Sequence, residues 1–232
     1  PYQVNSANHG PYGDAVVSEL IPEVERRFRC VGSGTARVLD GTSTGGWVAL
    51  ALQIFYPDAF AGAWSSSPDP VDFRSYETIN IYEDASAYVA SDGTERPAAR
   101  HPHDGRPRLT VRRECALENL LGAGGWYTLS GQQWGAWNAT FSPRGDDGLP
   151  IPLWDPTTGR IDSNVARRWR AYDLRHVLES NWPTLGPKLR GKLHIWVGDA
   201  DEFYLDAAVR RLDAFLSHAA PPFAGTISFG PG

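Results

Sequence analysis

A chain of 232 residues with 41% hydrophobic and 21% charged residues is long and apolar enough to bury the core of one domain. Its net charge of −5 comes without any basic run interleaved with aromatics, and no apolar window nears the ~20 residues of a membrane span, so neither nucleic acid nor a bilayer is expected as a partner. Cys30 and Cys115 stand far apart without metal-ligand spacing, and they decide no compartment.

Residues 1–13, rich in Asn, Gly, Pro and Tyr, read as loop. Asp14 is a suitable N-cap for a helix whose buried face would be Val17, Leu20, Ile21, Val24 and Phe28, with a kink or break at Pro22. Gly32-Ser33-Gly34 is a turn. Val38 and Leu39 then read as a short buried strand, followed by Gly41-Thr42-Ser43-Thr44-Gly45-Gly46 and a helix-forming stretch over 47–56 closed by Pro57. Gly-x-Ser-x-Gly alone is a short pattern. Between a strand and a helix it has the context of a nucleophile elbow, in which a strained turn lifts the serine hydroxyl out of the sheet and only glycine fits beside it. Residues 60–67 form a second strand, stopped by Pro68-Asp69-Pro70, so that strand, helix and strand make a βαβ unit with a right-handed crossover.

From 71 to 190 the text is dense in Trp, Gly, Pro and Arg. His101 and His103 beside Asp104 sit in a Pro/Gly loop and read as solvated residues, not as a metal site. A short strand at 109–111 and a helix from Glu114 to Leu121 are expected. The aromatics Trp126, Tyr127, Trp134, Trp137, Phe141 and Trp154 read as the core of an irregular insertion, ahead of a sugar-stacking platform. Asn138-Ala139-Thr140 fits a glycosylation sequon. Asp162 or Ser163 caps a helix to about Ser180. Regular alternation resumes with a strand at 192–198, the loop Asp199-Ala200-Asp201-Glu202, an amphipathic helix on Leu205, Ala208, Val209, Leu212, Phe215 and Leu216, and a last strand at 225–229. The architecture expected is α/β, with a mostly parallel sheet carrying helices on both faces. Residues 1–70 and 191–232 would be two parts of one core, and 71–190 an insertion forming a cap.

Four features share one pattern: Pro11-Tyr12-Gly13-Asp14 leading to Glu19-Leu20-Ile21-Pro22, the elbow, Tyr56-Pro57-Asp58 at a helix end, and Gly198-Asp199-Ala200-Asp201 after a strand. Together, over about 11–70 and 190–232, they resemble the esterase D branch of the α/β-hydrolases. That resemblance implies a serine nucleophile, a carboxylate after a late strand and a histidine after the last one. Elementary chemistry asks for the same set, since a serine hydroxyl needs a base and the base needs a carboxylate to orient it. Ser43 matches the nucleophile, and the backbone N–H of Thr44 the oxyanion donor. Asp199 and Asp201 both follow the late strand, and the family's spacing selects Asp201. Asp69 is a further candidate whose setting between two prolines favours a turn role.

No histidine has the family's address. His218 follows Asp201 but precedes the last strand, His194 opens a strand, His176 lies in the insertion and His9 is far upstream. The second oxyanion donor and the strands expected before the elbow are not found either. With Met absent even at position 1, the chain is expected to be a truncated piece whose catalytic histidine lies past Gly232, and to be inactive as given. The expected activity is hydrolysis of a small-molecule carboxylic ester through an acyl-enzyme, without cofactor or metal. Acyl transfer, or a carbohydrate-binding module on a hydrolase scaffold, are the alternatives.

Overall fold

The computed structural model describes residues 2–231. Its centre is a four-stranded parallel sheet of β3 (Val38–Thr42), β4 (Gly62–Ser66), β7 (Leu193–Gly198) and β8 (Thr226–Gly230), adjacent in that order. Two small antiparallel pairs lie outside it, β1 (Asn5–Ser6) with β2 (Gly10–Pro11) and β5 (Pro97–Arg100) with β6 (Pro107–Thr110). The helices are α1 (Tyr12–Ala15), α2 (Ile21–Arg27), α3 (Thr44–Phe55), α4 (Val111–Leu121), α5 (Gln133–Phe141), α6 (Ser163–Trp169), α7 (Leu174–Lys188) and α8 (Leu205–Leu216). None is long and apolar enough to cross a membrane among the described residues.

The α/β class and the parallel sheet agree with the sequence reading, but the expectation of helices on both faces does not. The strands run across the sheet in one direction, and crossovers of a single hand then place their helices on one side. That side carries Leu39, Ala63, Ile195 and Val197, packed in the core with α3 and α8. On the other side Trp64 and Trp196 are each 44% exposed, with His194 stacked on Trp64 at 4.6 Å between ring centroids.

The first helical segment departs from its reading too. A π turn over Val16–Leu20 joins α1 to α2, and Pro22 follows it in the first turn of α2. Wide winding there suits a residue that cannot donate a backbone N–H. It also shifts the apolar phase: Val17 and Ile21 pack on the core while Leu20, Val24 and Phe28 stay exposed. Val38 is exposed as well, because it lies on the same uncovered face of the sheet as Trp64.

Residues 71–190 share the core of the sheet layer. Trp47 of α3 meets Phe141 of α5 at 5.1 Å between ring centroids, and Phe73 meets both Phe141 and Trp169. Tyr127, Trp134, Trp137, Phe141 and Trp154 are buried, and only Trp126 of the aromatic group reaches solvent. Asn138 is buried with its amide donating to the Ile151 carbonyl, which leaves the sequon nowhere to carry a glycan. The single helix expected from 162 to 180 is two, because Asp162 caps α6 and Asp173 caps α7 by accepting from the His176 N–H.

Candidate active site

Ser43 stands between the end of β3 and the first turn of α3 with φ 56° and ψ −123°, a conformation that costs a non-glycine residue about 1–3 kcal/mol. The surroundings enforce it. Its N–H donates to the Ser66 carbonyl at 3.0 Å, and its carbonyl accepts from Trp47 and Asp69 N–H at 3.0 and 3.2 Å. A Cβ on Gly41 would lie 2.2 Å from the Gly45 carbonyl oxygen, so the strand and the helix come together only where that side chain is absent. Thr44 opens α3, where a backbone N–H has no acceptor within the helix and the helix dipole favours negative charge.

The structure brings Asp69, not Asp201, to the serine hydroxyl. Asp69 lies just past the carboxyl end of β4, and Ser43 Oγ donates to its Oδ1 at 3.1 Å. Its Oδ2 accepts from Thr44 Oγ1 at 2.8 Å, Trp137 Nε1 at 3.0 Å, Gln133 Nε2 at 3.3 Å and the Tyr2 hydroxyl. These donors explain how a buried carboxylate is tolerated beside the serine. Burial and the Asp69 charge hold the Tyr2 hydroxyl well above the ordinary phenol range, so it remains a donor. The role of Asp69 thus goes beyond the turn assigned to it from its flanking prolines.

Asp201 lies past the carboxyl end of β7, in the same parallel sheet as the strand before Ser43. Its Oδ1 accepts from Phe203 and Leu205 N–H at 2.9 and 3.2 Å, tying down the turn before α8. Burial raises its pKa despite those two bonds. Asp199 turns away to an exposed ion pair with Arg210 at 2.6 Å.

No histidine hydrogen-bonds Ser43, Asp69 or Asp201 among the described residues. His194 pairs with Thr226 Oγ1 and the Gly191 carbonyl, and His218 with the Ala214 carbonyl. His9 lies against the Tyr12 ring, and His101 and His103 are exposed. No group of three or more His, Cys, Asp or Glu residues that could hold a metal occurs among the described residues.

A cavity of about 200 Å³ adjoins the serine, lined by Ser43, Asp69, Glu77, Glu114, Gln133, Trp137, Phe203 and Leu205. A larger groove of about 640 Å³ runs along the β3 edge between Val24 and Val38. It is mostly apolar and contains neither Ser43 nor Asp69, so the small cavity is the candidate site. Sequence reasoning missed Tyr2, Gln133, Glu77 and Glu114 here, and gave Trp137 a core role alone. Nothing in their local text marks them, because each comes to Asp69 or to the cavity from a different loop or helix.

The structure is similar to a ferulic acid esterase at 12% identity and TM-score 0.45, over 96% of this chain and 53% of that one. It is also similar to the monoacylglycerol lipase of Paleococcus ferrophilus at 17% identity and TM-score 0.37, over 93% of this chain and 65% of that one. The chain therefore spans about half the length of the first and under two thirds of the second. No curated protein matches the sequence. The family model described as "Putative esterase" matches residues 5–215, nearly the whole chain, and the protein belongs to that esterase family.

Proposed function

We propose that the chain carries the nucleophile half of a serine esterase of the esterase D type, acting on small-molecule carboxylic esters. The observation that carries the reading is Ser43, held strained at a strand-to-helix turn with its hydroxyl beside a cavity. Ser43 Oγ attacks the ester carbonyl, the Thr44 N–H stabilises the resulting oxyanion, and the acyl group passes to serine as the alcohol leaves. Asp69 aims the hydroxyl by direct contact. Asp201, on the same sheet edge, is the carboxylate that would orient a histidine base. Residues 71–190 act as a cap, since Gln133 and Trp137 of α5 reach over the elbow to Asp69.

As no histidine meets Ser43 among the described residues, turnover by this chain alone should stay near background. Incubation with a fluorophosphonate or a 4-nitrophenyl ester and mass spectrometry of the adduct separates the parts of this reading. A slow adduct on Ser43 that vanishes in Ser43→Ala supports it. Adducts on other residues only, or turnover unchanged by Ser43→Ala, would defeat it.

A further inference from the structure

The cavity beside Ser43 is unusual in the charges it gathers. Asp69, Glu77 and Glu114 all line it, and no Arg or Lys does. Asp69 has its own donors, but Glu77 does not. Glu77 is 5% exposed, and its Oε2 is buried without any hydrogen-bond partner. A buried polar atom left unpaired costs about 1–3 kcal/mol, more when charged, and among the described residues Oε2 of Glu77 is the one carboxyl oxygen left so. Its backbone adds to the cost, with φ 53° at a residue that has a Cβ.

We propose that Glu77, with Glu114 beside it, forms a subsite for a cationic group of the ester substrate, an ammonium borne a few bonds from the scissile carbonyl. This rests on the serine-esterase reading for the identity of the reacting bond, though not for the binding itself. A cation is the ligand that suits such a site: it pairs with the carboxyl group of Glu77 that lines the cavity and offsets the acidic groups gathered there. Burial and the neighbouring carboxylates of Glu114, Asp69 and Asp201 hold the Glu77 carboxyl well above the usual range, and burial also raises Glu114. A positive charge arriving beside that carboxyl favours its ionised form, which couples ammonium binding to the loss of protons from the subsite. Phe203, Leu205 and Trp137 supply apolar wall for the short chain that carries the ammonium. The same charges disfavour an anionic group at this position.

The test is calorimetric titration of the Ser43→Ala protein with n-butylammonium, n-butanol and butyrate at pH 7.5, repeated in buffers of different ionisation enthalpy. Butylammonium should bind at least about tenfold more tightly than butanol, a 1.4 kcal/mol difference, butyrate should not bind, and binding should release a proton. Glu77→Gln, and separately Glu114→Gln, should each weaken the ammonium and leave butanol unchanged. Equal affinity for ammonium and alcohol, or ammonium binding that survives both substitutions, would overturn the proposal. Because these measurements need no turnover, ammonium binding by the Ser43→Ala protein beside a wild-type protein that never takes an adduct on Ser43 would refute the esterase reading and leave the subsite standing.

Discussion

Glu118 is the residue through which the site can be perturbed without touching it. It is buried on α4, and its carboxylate accepts from Trp134 N–H at 2.8 Å, Gly135 N–H at 2.9 Å and Ser130 Oγ at 2.7 Å. Trp134 and Gly135 belong to the first turn of α5, whose N-cap Gln132 makes no side-chain cap bond. Glu118 therefore caps α5 from a neighbouring helix, and α5 carries Gln133 and Trp137 to Asp69. Glu118→Ala leaves two buried N–H groups without acceptor, at about 1–3 kcal/mol each. Burial raises the Glu118 pKa, so losing the carboxylate recovers part of that cost. A net destabilisation of about 3 kcal/mol lowers Tm by about 6–12 °C in a chain of this size. Thermal unfolding followed by circular dichroism at pH 7 measures it, and labelling of Ser43 should slow in parallel as Asp69 loses its α5 donors. Glu118→Gln, which keeps one acceptor oxygen, should fall between the two proteins. A Tm within 2 °C of wild type for Glu118→Ala would refute the capping argument.

The elbow glycines make a contrast, since Gly41→Ala would press its Cβ against the Gly45 carbonyl oxygen at 2.2 Å and should cost about 3 kcal/mol or more, if the protein folds at all. Gly45→Ala meets nothing within 4 Å inside α3 and should stabilise by about 0.5–1 kcal/mol; equal denaturation midpoints for the two variants would contradict this account of the turn. Trp137→Phe removes the indole donor to Asp69 together with part of a buried ring, so urea unfolding should show a loss of about 2–4 kcal/mol, and no loss would mean that neither the bond nor the packing matters. Glu77 also sets a pH dependence. Its folded pKa lies above the unfolded 4.5, so the native state holds that proton more tightly, and the associated stability is present below pH 4.5 and lost as pH rises through the folded value. Glu77→Gln should therefore raise Tm by several degrees at pH 8 and by little at pH 4, and a gap independent of pH would show that Glu77 is not a buried titrating group.

What the sequence decides by itself are the features whose cause is local. The elbow is legible because part of what fixes it lies within five residues, the Gly45 carbonyl against Gly41 and the Trp47 N–H on Ser43. The stripe of α8 and the end of α4 at Gly122 are legible for the same reason: periodicity and the C-cap are written in neighbouring residues. The contact of Ser43 with Asp69 spans 26 positions, and that of Trp137 with Asp69 spans 68. Such pairings depend on which strand lies beside which and on how α5 folds over the elbow, so no local pattern announces them. The sheet gives the sharpest case. Val38 reads as part of a buried strand, and Trp64 and Trp196 are large apolar rings on strands, yet strand order and crossover hand leave their face open. Hydrophobicity states what a side chain prefers, and only the assembled topology decides whether a neighbour arrives to cover it.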